Sequence, residues 1–264
     1  ASWRAQAELL DQGGNPKAAT EARAQADRLS RLPKELFAVT NYLHEGRVLH
    51  AEKIARAFLQ KNPAHVEGMR LLADIGTRLG VHEDADFLLE TAIELEPENL
   101  QLRIDHVQVL RKRQKYEAAL KQAEALLERA PDNPTFRSIY AIESMQAGNY
   151  AEALQIFDSV LADLPEDLST LTSRGHALKT AGQTDEAIAS YRQAVAVYPL
   201  HGDAWYALAN LKTYKFSDDE IIAMQAAFSD PNLSHMGRVH IAFALGKALE
   251  DRADYEGAFQ NYAE

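Results

Sequence analysis

The sequence predicts an all-α protein made of antiparallel helix pairs stacked in series. Three observations carry that prediction. Prolines fall at Pro63, Pro97, Pro131, Pro165 and Pro199, each 34 residues after the last. Alanine stands twelve residues before every one of them, at Ala51, Ala85, Ala119, Ala153 and Ala187. Twenty-four residues before them the side chain is small at Ala73, Ala141 and Gly175, with Val39 and Val107 in the other two units. Agreement in phase at one fixed period marks a repeat architecture, in which each unit buries its apolar face against its neighbours.

Residues 1–31 read as a degenerate leading helical repeat, broken at Gly13-Gly14-Asn15-Pro16. Five regular units follow over 32–201, at 32–65, 66–99, 100–133, 134–167 and 168–201. Each reads as helix A, a short turn, helix B and a proline. Small residues on the two facing helices let the axes approach, where bulk would overpack the contact. Gly46, Gly80, Gly148 and Gly182 suit the left-handed residue that ends a helix. Large apolar residues such as Leu72, Leu89, Tyr140, Phe157, Tyr191 and Val195 fill the core positions between. Proline stops helix B because it has no N–H and clashes with the preceding turn. Polar residues after it, as in Pro131-Asp132-Asn133 and Pro165-Glu166-Asp167, supply caps for the next helix A.

Residues 202–264 diverge. Trp205, Leu208 and Ala209 are in register, but Phe216 stands where the turn glycine belongs and Ile221 where the helix B alanine belongs. Ser217-Asp218-Asp219-Glu220 reads instead as a capping box opening a helix to about Phe228. That helix breaks at Ser229-Asp230-Pro231-Asn232, and a further pair begins near Ser234 with Leu245, Gly246, Leu249, Tyr255, Ala258 and Tyr262 in pattern. The sequence stops inside the expected helix B, so a longer parent protein is expected.

These positions resemble the tetratricopeptide repeat family, most closely at 168–201 with Gly175, Ala187, Tyr191, Ala194 and Pro199 in place. The resemblance implies a right-handed superhelical array, an α-solenoid whose helix A side chains line a concave, polypeptide-binding face. The segment 205–217, together with 243–251, Tyr255, Phe259 and Tyr262, resembles the junction of bacterial tetratricopeptide-containing sulfotransferases. That second resemblance implies a parent protein using phosphoadenosine phosphosulfate, with its catalytic and donor-binding motifs beyond Glu264. It implies no catalytic residue and no cofactor in this chain.

Composition and motifs narrow the chemistry. Lys and Arg number 28 against 39 Asp and Glu, a net charge of -11, whereas a nucleic-acid binder shows a basic footprint. Without cysteine there are no disulfides and no thiolate metal sites. No apolar run approaches the ~18 residues of a membrane span. The opening Ala1-Ser2-Trp3 carries no basic-then-apolar leader, and a cytoplasmic location is expected. Gly246-Lys247 lacks the flanking residues of a phosphate loop, with Ile241 and Ala248 at the diagnostic positions. His82 and Asp86 share a helix face near Glu83 and Asp84, but a solvated helix start explains this better than a metal. His235 and His240, five apart, do not share a face well. Tyr191, Tyr198, Tyr206 and Tyr214 would need a basic groove to act as a base-stacking platform.

Function is therefore expected on the helix A faces. Phasing from the prolines puts Arg70, Asp74, Thr77 and Arg78 there from the second unit, and Ile104, Gln108, Arg111 and Lys112 from the third. The fourth gives Ser138, Ile142, Met145 and Gln146; the fifth Thr172, His176, Lys179 and Thr180; the sixth Tyr206, Asn210, Thr213 and Tyr214. Within this set Asp74 is the sole anion, against Arg70, Arg78, Arg111, Lys112 and Lys179. Arg70–Asp74–Arg78 alone would be an ordinary salt-bridge ladder. The remaining cations predict an acidic or carboxylate-bearing peptide as partner, held bidentately by Arg. Three readings follow: a recruiting array for a sulfotransferase domain, a freestanding scaffold or assembly adaptor, and a self-associating homo-oligomer.

Overall fold

The computed structural model describes residues 3–12, 16, 19–20, 22–23, 26 and 32–263. Every regular element among them is helical. Two compact units divide the chain, Ala1–Gln122 and Ala123–Glu264. The first holds α1 (Trp3–Gln12), α2 (Lys34–His44), α3 (Val48–Lys61), α4 (Val66–Arg78), α5 (His82–Leu95) and α6 (Leu100–Lys112). α7 (Tyr116–Arg129) spans the boundary. The second holds α8 (Pro134–Gln146), α9 (Tyr150–Asp163), α10 (Leu168–Thr180), α11 (Thr184–Val197), α12 (Gly202–Ala209), α13 (Asp218–Phe228), α14 (His235–Glu250) and α15 (Tyr255–Tyr262). The expected break at Gly13, Gly14 and Asn15 lies outside the described residues.

The 34-residue phase is kept by the backbone itself. Helix B ends at Lys61, Leu95, Arg129, Asp163 and Val197, two residues before each phased proline. Helix A of the next unit is capped by the polar residues that follow. The Asn133 side chain accepts from Thr135 N at 2.9 Å and Asp167 from Thr170 N at 2.8 Å. Ala51, Ala85, Ala119, Ala153 and Ala187 are fully buried, and Val39, Ala73, Val107 and Ala141 nearly so. Gly175 shows why bulk is excluded at this position. A Cβ there would lie 2.3 Å from the ring of the fully buried Tyr191.

The A-to-B turns of the regular repeats share one chemistry. Gly46, Gly80, Gly148 and Gly182 have φ between 73° and 97°. The following N–H reaches back five residues to a helix carbonyl, as in Val81 N to Gly76 O at 2.7 Å. This bond satisfies one of the orphan carbonyls at the helix end. Two turns do so without glycine: Gln114 has φ 58° and Ala253 has φ 62°, with the bonds Lys115 N to Leu110 O and Asp254 N to Leu249 O intact. The same turn geometry is thus kept by residue types that do not favour it.

In the first unit α2 to α6 pack each on the next, and the helix A members α2, α4 and α6 also touch in succession. One buried polar cluster ties α5 to α6 and the turn after it. Asp86, 6% exposed, lies 2.6 Å from His106 Nε2 and 2.8 Å from Lys115 Nζ, and also accepts from Arg113. The expectation of a solvated acidic helix start holds for Glu83 and Asp84 and fails for Asp86. Leu120, Leu154 and Ile188 occupy the same repeat position later in the chain, and Glu52 before it pairs with Arg56 of its own helix, so the buried cluster between helices is particular to Asp86.

In the second unit the irregular repeat has a definite cause. α12 stops at Ala209, and Leu211 and Phe216 turn back into the core, where the Phe216 ring sits 6.2 Å from that of Trp205. The Trp205 indole N–H donates to Pro199 O at 2.9 Å. Ser217 and Glu220 form the expected capping box, and α13 ends at Phe228, where the sequence predicts. Ser234 caps α14 by accepting from Gly237 N at 3.0 Å. α12 packs on α14, and the approach is backbone to backbone: a Cβ on Gly202 would meet Gly237 Cα at 2.8 Å.

Candidate functional site: the helix A faces

The helix A residues named from the sequence divide between the two units. In the first, Arg70 is drawn inward. Its guanidinium bonds Glu67 at 2.7 Å and Asp105 at 3.1 Å, and its side chain is only 15% exposed. Burial works against that charge, but the two carboxylates outweigh it and hold the pKa above the ordinary arginine value. Arg78 pairs with Asp74 at 3.0 Å, so the expected ladder forms only in that half. Glu67 and Asp105 correct the count that made Asp74 the sole anion, and the basic bias shrinks accordingly. Gln108 and Lys112 are exposed on α6, and Lys112 makes no ion pair among the described residues. Arg111 is half-buried beside them.

In the second unit, Ile142 is partly buried against the Ala141, Phe157 and Ala177 cluster, and Gln146 is exposed. Thr172 is 8% exposed, its hydroxyl donating to Leu168 O and lying 2.8 Å from His201 Nε2. Thr77 and Thr180 likewise donate to the carbonyl four residues back. His176 Nδ1 lies 2.8 Å from the Tyr191 hydroxyl. Burial and then the Lys179 charge hold the His176 pKa below its ordinary value. The ring is therefore neutral at neutral pH and shares a hydrogen bond with the Tyr191 hydroxyl. Lys179 is exposed and, like Lys112, has no ion pair among the described residues. Asn210 is the exposed C-cap of α12, so Thr213 and Tyr214 fall beyond the helix and off the face drawn for them.

Tyr206 leads to a feature that the sequence reading missed. Its ring stacks on His240 at 4.8 Å and 24°, and lies 5.0 Å from Phe243. Phe243 in turn lies 5.7 Å from Tyr262. The Tyr262 hydroxyl donates to Glu250 at 3.1 Å; burial and that carboxylate push its pKa up to about 12. The signal was present in spacing. Tyr191 follows Gly175 by sixteen residues, and Tyr262 follows Gly246 by sixteen. A Cβ on Gly246 would meet the Tyr262 ring at 2.5 Å, repeating the Gly175 contact. Three extra residues in the irregular repeat restore register there, and Phe243 then occupies the helix A position of Thr172 and Tyr206.

Among the described residues no three His, Cys, Asp or Glu side chains converge as a metal set, and no helix is long and apolar enough to cross a membrane.

Comparison with known proteins agrees with this geometry. The tetratricopeptide domain of cytochrome c-type biogenesis protein H matches residues 55–171, and a tetratricopeptide repeat family matches 172–211. An uncharacterised protein of Aquifex aeolicus (strain VF5) is 27% identical over 144 residues, which are 53% of this chain and 18% of that protein. The chain thus spans under a fifth of that curated relative's length. A tetratricopeptide repeat protein from Parabacteroides merdae ATCC 43184 superposes with a TM-score of 0.66 at 17% identity, covering 94% of this chain and 97% of that one. YrrB, a tetratricopeptide protein with an unusual peptide-binding site, gives a TM-score of 0.53 at 17% identity over 66% of this chain and 89% of its own. MamA from Desulfovibrio magneticus RS-1, from residue 41 onward, gives 0.54 at 14% identity, covering 62% and 96%. Repeat phase, turn chemistry and helix pairing agree with the two matches that run end to end over more than half of its length: this chain is a tetratricopeptide repeat protein.

Proposed function

We propose that the chain is a polypeptide-binding module that recruits a segment bearing acidic side chains through its helix A faces. The observation that carries the acidic preference is an exposed helix A lysine in each unit, Lys112 in the first and Lys179 in the second, without an ion pair among the described residues. Exposed Gln108 in the first unit, and Gln146 and Asn210 in the second, supply the donors and acceptors that an extended backbone needs. The peptide-binding site named for YrrB supports the same reading by analogy of fold.

Fluorescence anisotropy with a labelled acidic peptide tests it. Each exposed lysine contributes roughly 0.3–1 kcal/mol, so Lys112→Ala and Lys179→Ala, made separately, each weaken binding about two- to fivefold, with a smaller loss in high salt. Affinity unchanged by both the substitutions and salt refutes the acidic preference.

Recruitment for a sulfotransferase is the second reading. It is favoured by the register break at Phe216 and the helix cap at Ser217, which lie within the segment resembling the sulfotransferase junction. Transfer of labelled sulfate from phosphoadenosine phosphosulfate by the full-length protein supports it. Full activity of the scaffold role without any such transfer leaves the freestanding adaptor.

A further inference from the structure

We infer that the surface shared by α12, α14 and α15 is a docking subsite for a polypeptide segment presenting aromatic, leucine or proline side chains next to a Lys or Arg. It rests on the reading of the array as polypeptide-binding and adds a subsite of opposite charge preference.

Over its first turns α14 exposes apolar side chains, with the charged residues Lys247 and Glu250 at its C-terminal end. Ile241, Ala244, Leu245 and Ala248 face the core. At spacings i, i+3 and i+7 on the remaining surface, Met236, Val239 and Phe243 are 58%, 43% and 37% exposed. A surface helix ordinarily turns polar residues outward, so three exposed apolar side chains in line on one face mark a surface suited to being covered. The stripe continues through Tyr206 and Tyr262, 36% and 44% exposed, which contact Phe243 from either side.

Size and charge select the occupant. The exposed parts of these five side chains amount to roughly 400 Å², since a whole aromatic side chain presents about 150–250 Å². That is a contiguous patch of functional size. It is about half of the ~800 Å² that each partner gives to a stable complex, which suits a peptide better than a second copy. Carboxylates stand at both ends of the ladder. Asp203, 61% exposed at its side chain, lies 2.7 Å from His240, and Glu250 accepts from Tyr262. Aromatic faces flanked by carboxylates favour a cation beside the apolar contact, and aromatic-lined grooves also take extended proline segments.

The test is selection from a phage-displayed library of random linear peptides on the immobilised chain and, in parallel, on the Tyr206→Ser/Phe243→Ser variant. Both side chains are more than a third exposed, so the variant keeps its fold, which circular dichroism checks. The expected peptides carry aromatic, leucine or proline residues beside Lys or Arg, and their affinity falls about tenfold on the variant. No enriched peptides, enriched peptides without those residues, or the same peptides recovered equally on the variant overturn the inference. So does a sedimentation shift from dimer to monomer in the variant, which makes the surface a self-contact. Loss of acidic-peptide binding from the unaltered chain, with these peptides still bound, overturns only the acidic preference.

Discussion

Replacing Asp86 by Leu inserts the side chain found at the same position in two later repeats, yet it should destabilise the chain. The bond to His106 is short, and the side chains of both partners are under 10% exposed. As a hydrogen bond to a charged group it contributes on the order of 2 kcal/mol. The Lys115 and Arg113 side chains keep 47% and 22% exposure, so solvent screening limits their share to about 0.5–1 kcal/mol each. Burying a leucine returns on the order of 1.5 kcal/mol. The net loss is about 2 kcal/mol. The decisive comparison is with the double variant Asp86→Leu/His106→Leu. It puts at both positions the residue types of Leu120 and Leu72 and leaves no buried group unpaired. A buried polar pair exchanged whole for apolar side chains is often neutral, so the double variant should lie within about 1 kcal/mol of the parent. Urea denaturation, with amide exchange across α5 and α6, reads the coupling. A double variant as unstable as the two single changes added together refutes the reasoning. The pH dependence has a defined sign. Burial opposes ionisation of Asp86, but Lys115 and His106 outweigh it and hold the pKa below the ordinary 3.8. Its stabilisation is therefore complete above that ordinary value and disappears as pH falls through the depressed one, where parent and double variant converge.

Gln114→Gly and Ala253→Gly place glycine at positive φ, relieving about 1 kcal/mol each by removing the left-handed penalty; thermal melts should rise, and a fall means those turns are not locally strained. Gly175→Ala should cost about 1–3 kcal/mol because Tyr191 is fully buried and has no room to yield. Gly246→Ala should cost less, because Tyr262 is 44% exposed and swings outward, but it should weaken the docking of the selected peptides. Equal destabilisation by the two substitutions, measured by denaturation, contradicts this account.

How much was legible varies by element, for a physical reason. Proline at the end of helix B, alanine at the helix contact and glycine in the turn each answer a local requirement of backbone or packing volume. Those requirements recur every 34 residues, so they leave a periodic trace. The Ser217 capping box is local too, and the pattern places the end of its helix correctly. Gln114 and Ala253 were invisible as turns because neither residue type favours the positive φ it adopts.

The helix A faces were legible as positions and much less as chemistry. Spacing assigned Arg70 to the surface; only the folded chain brings Glu67 and Asp105 to its guanidinium and turns it inward. Spacing made His176 a polar contact; only burial and Lys179 keep it neutral, with Tyr191 as its hydrogen-bond partner. The aromatic ladder needs α12 to end early and α14 to cross it at Gly202 and Gly237, an approach that joins residues far apart in sequence. The sequence by itself determined the repeat, its period, its turns and where it fails, because those follow from local sterics. Which charges remain available and which aromatics meet was decided by tertiary structure, because pairing and burial depend on neighbours that no single repeat contains.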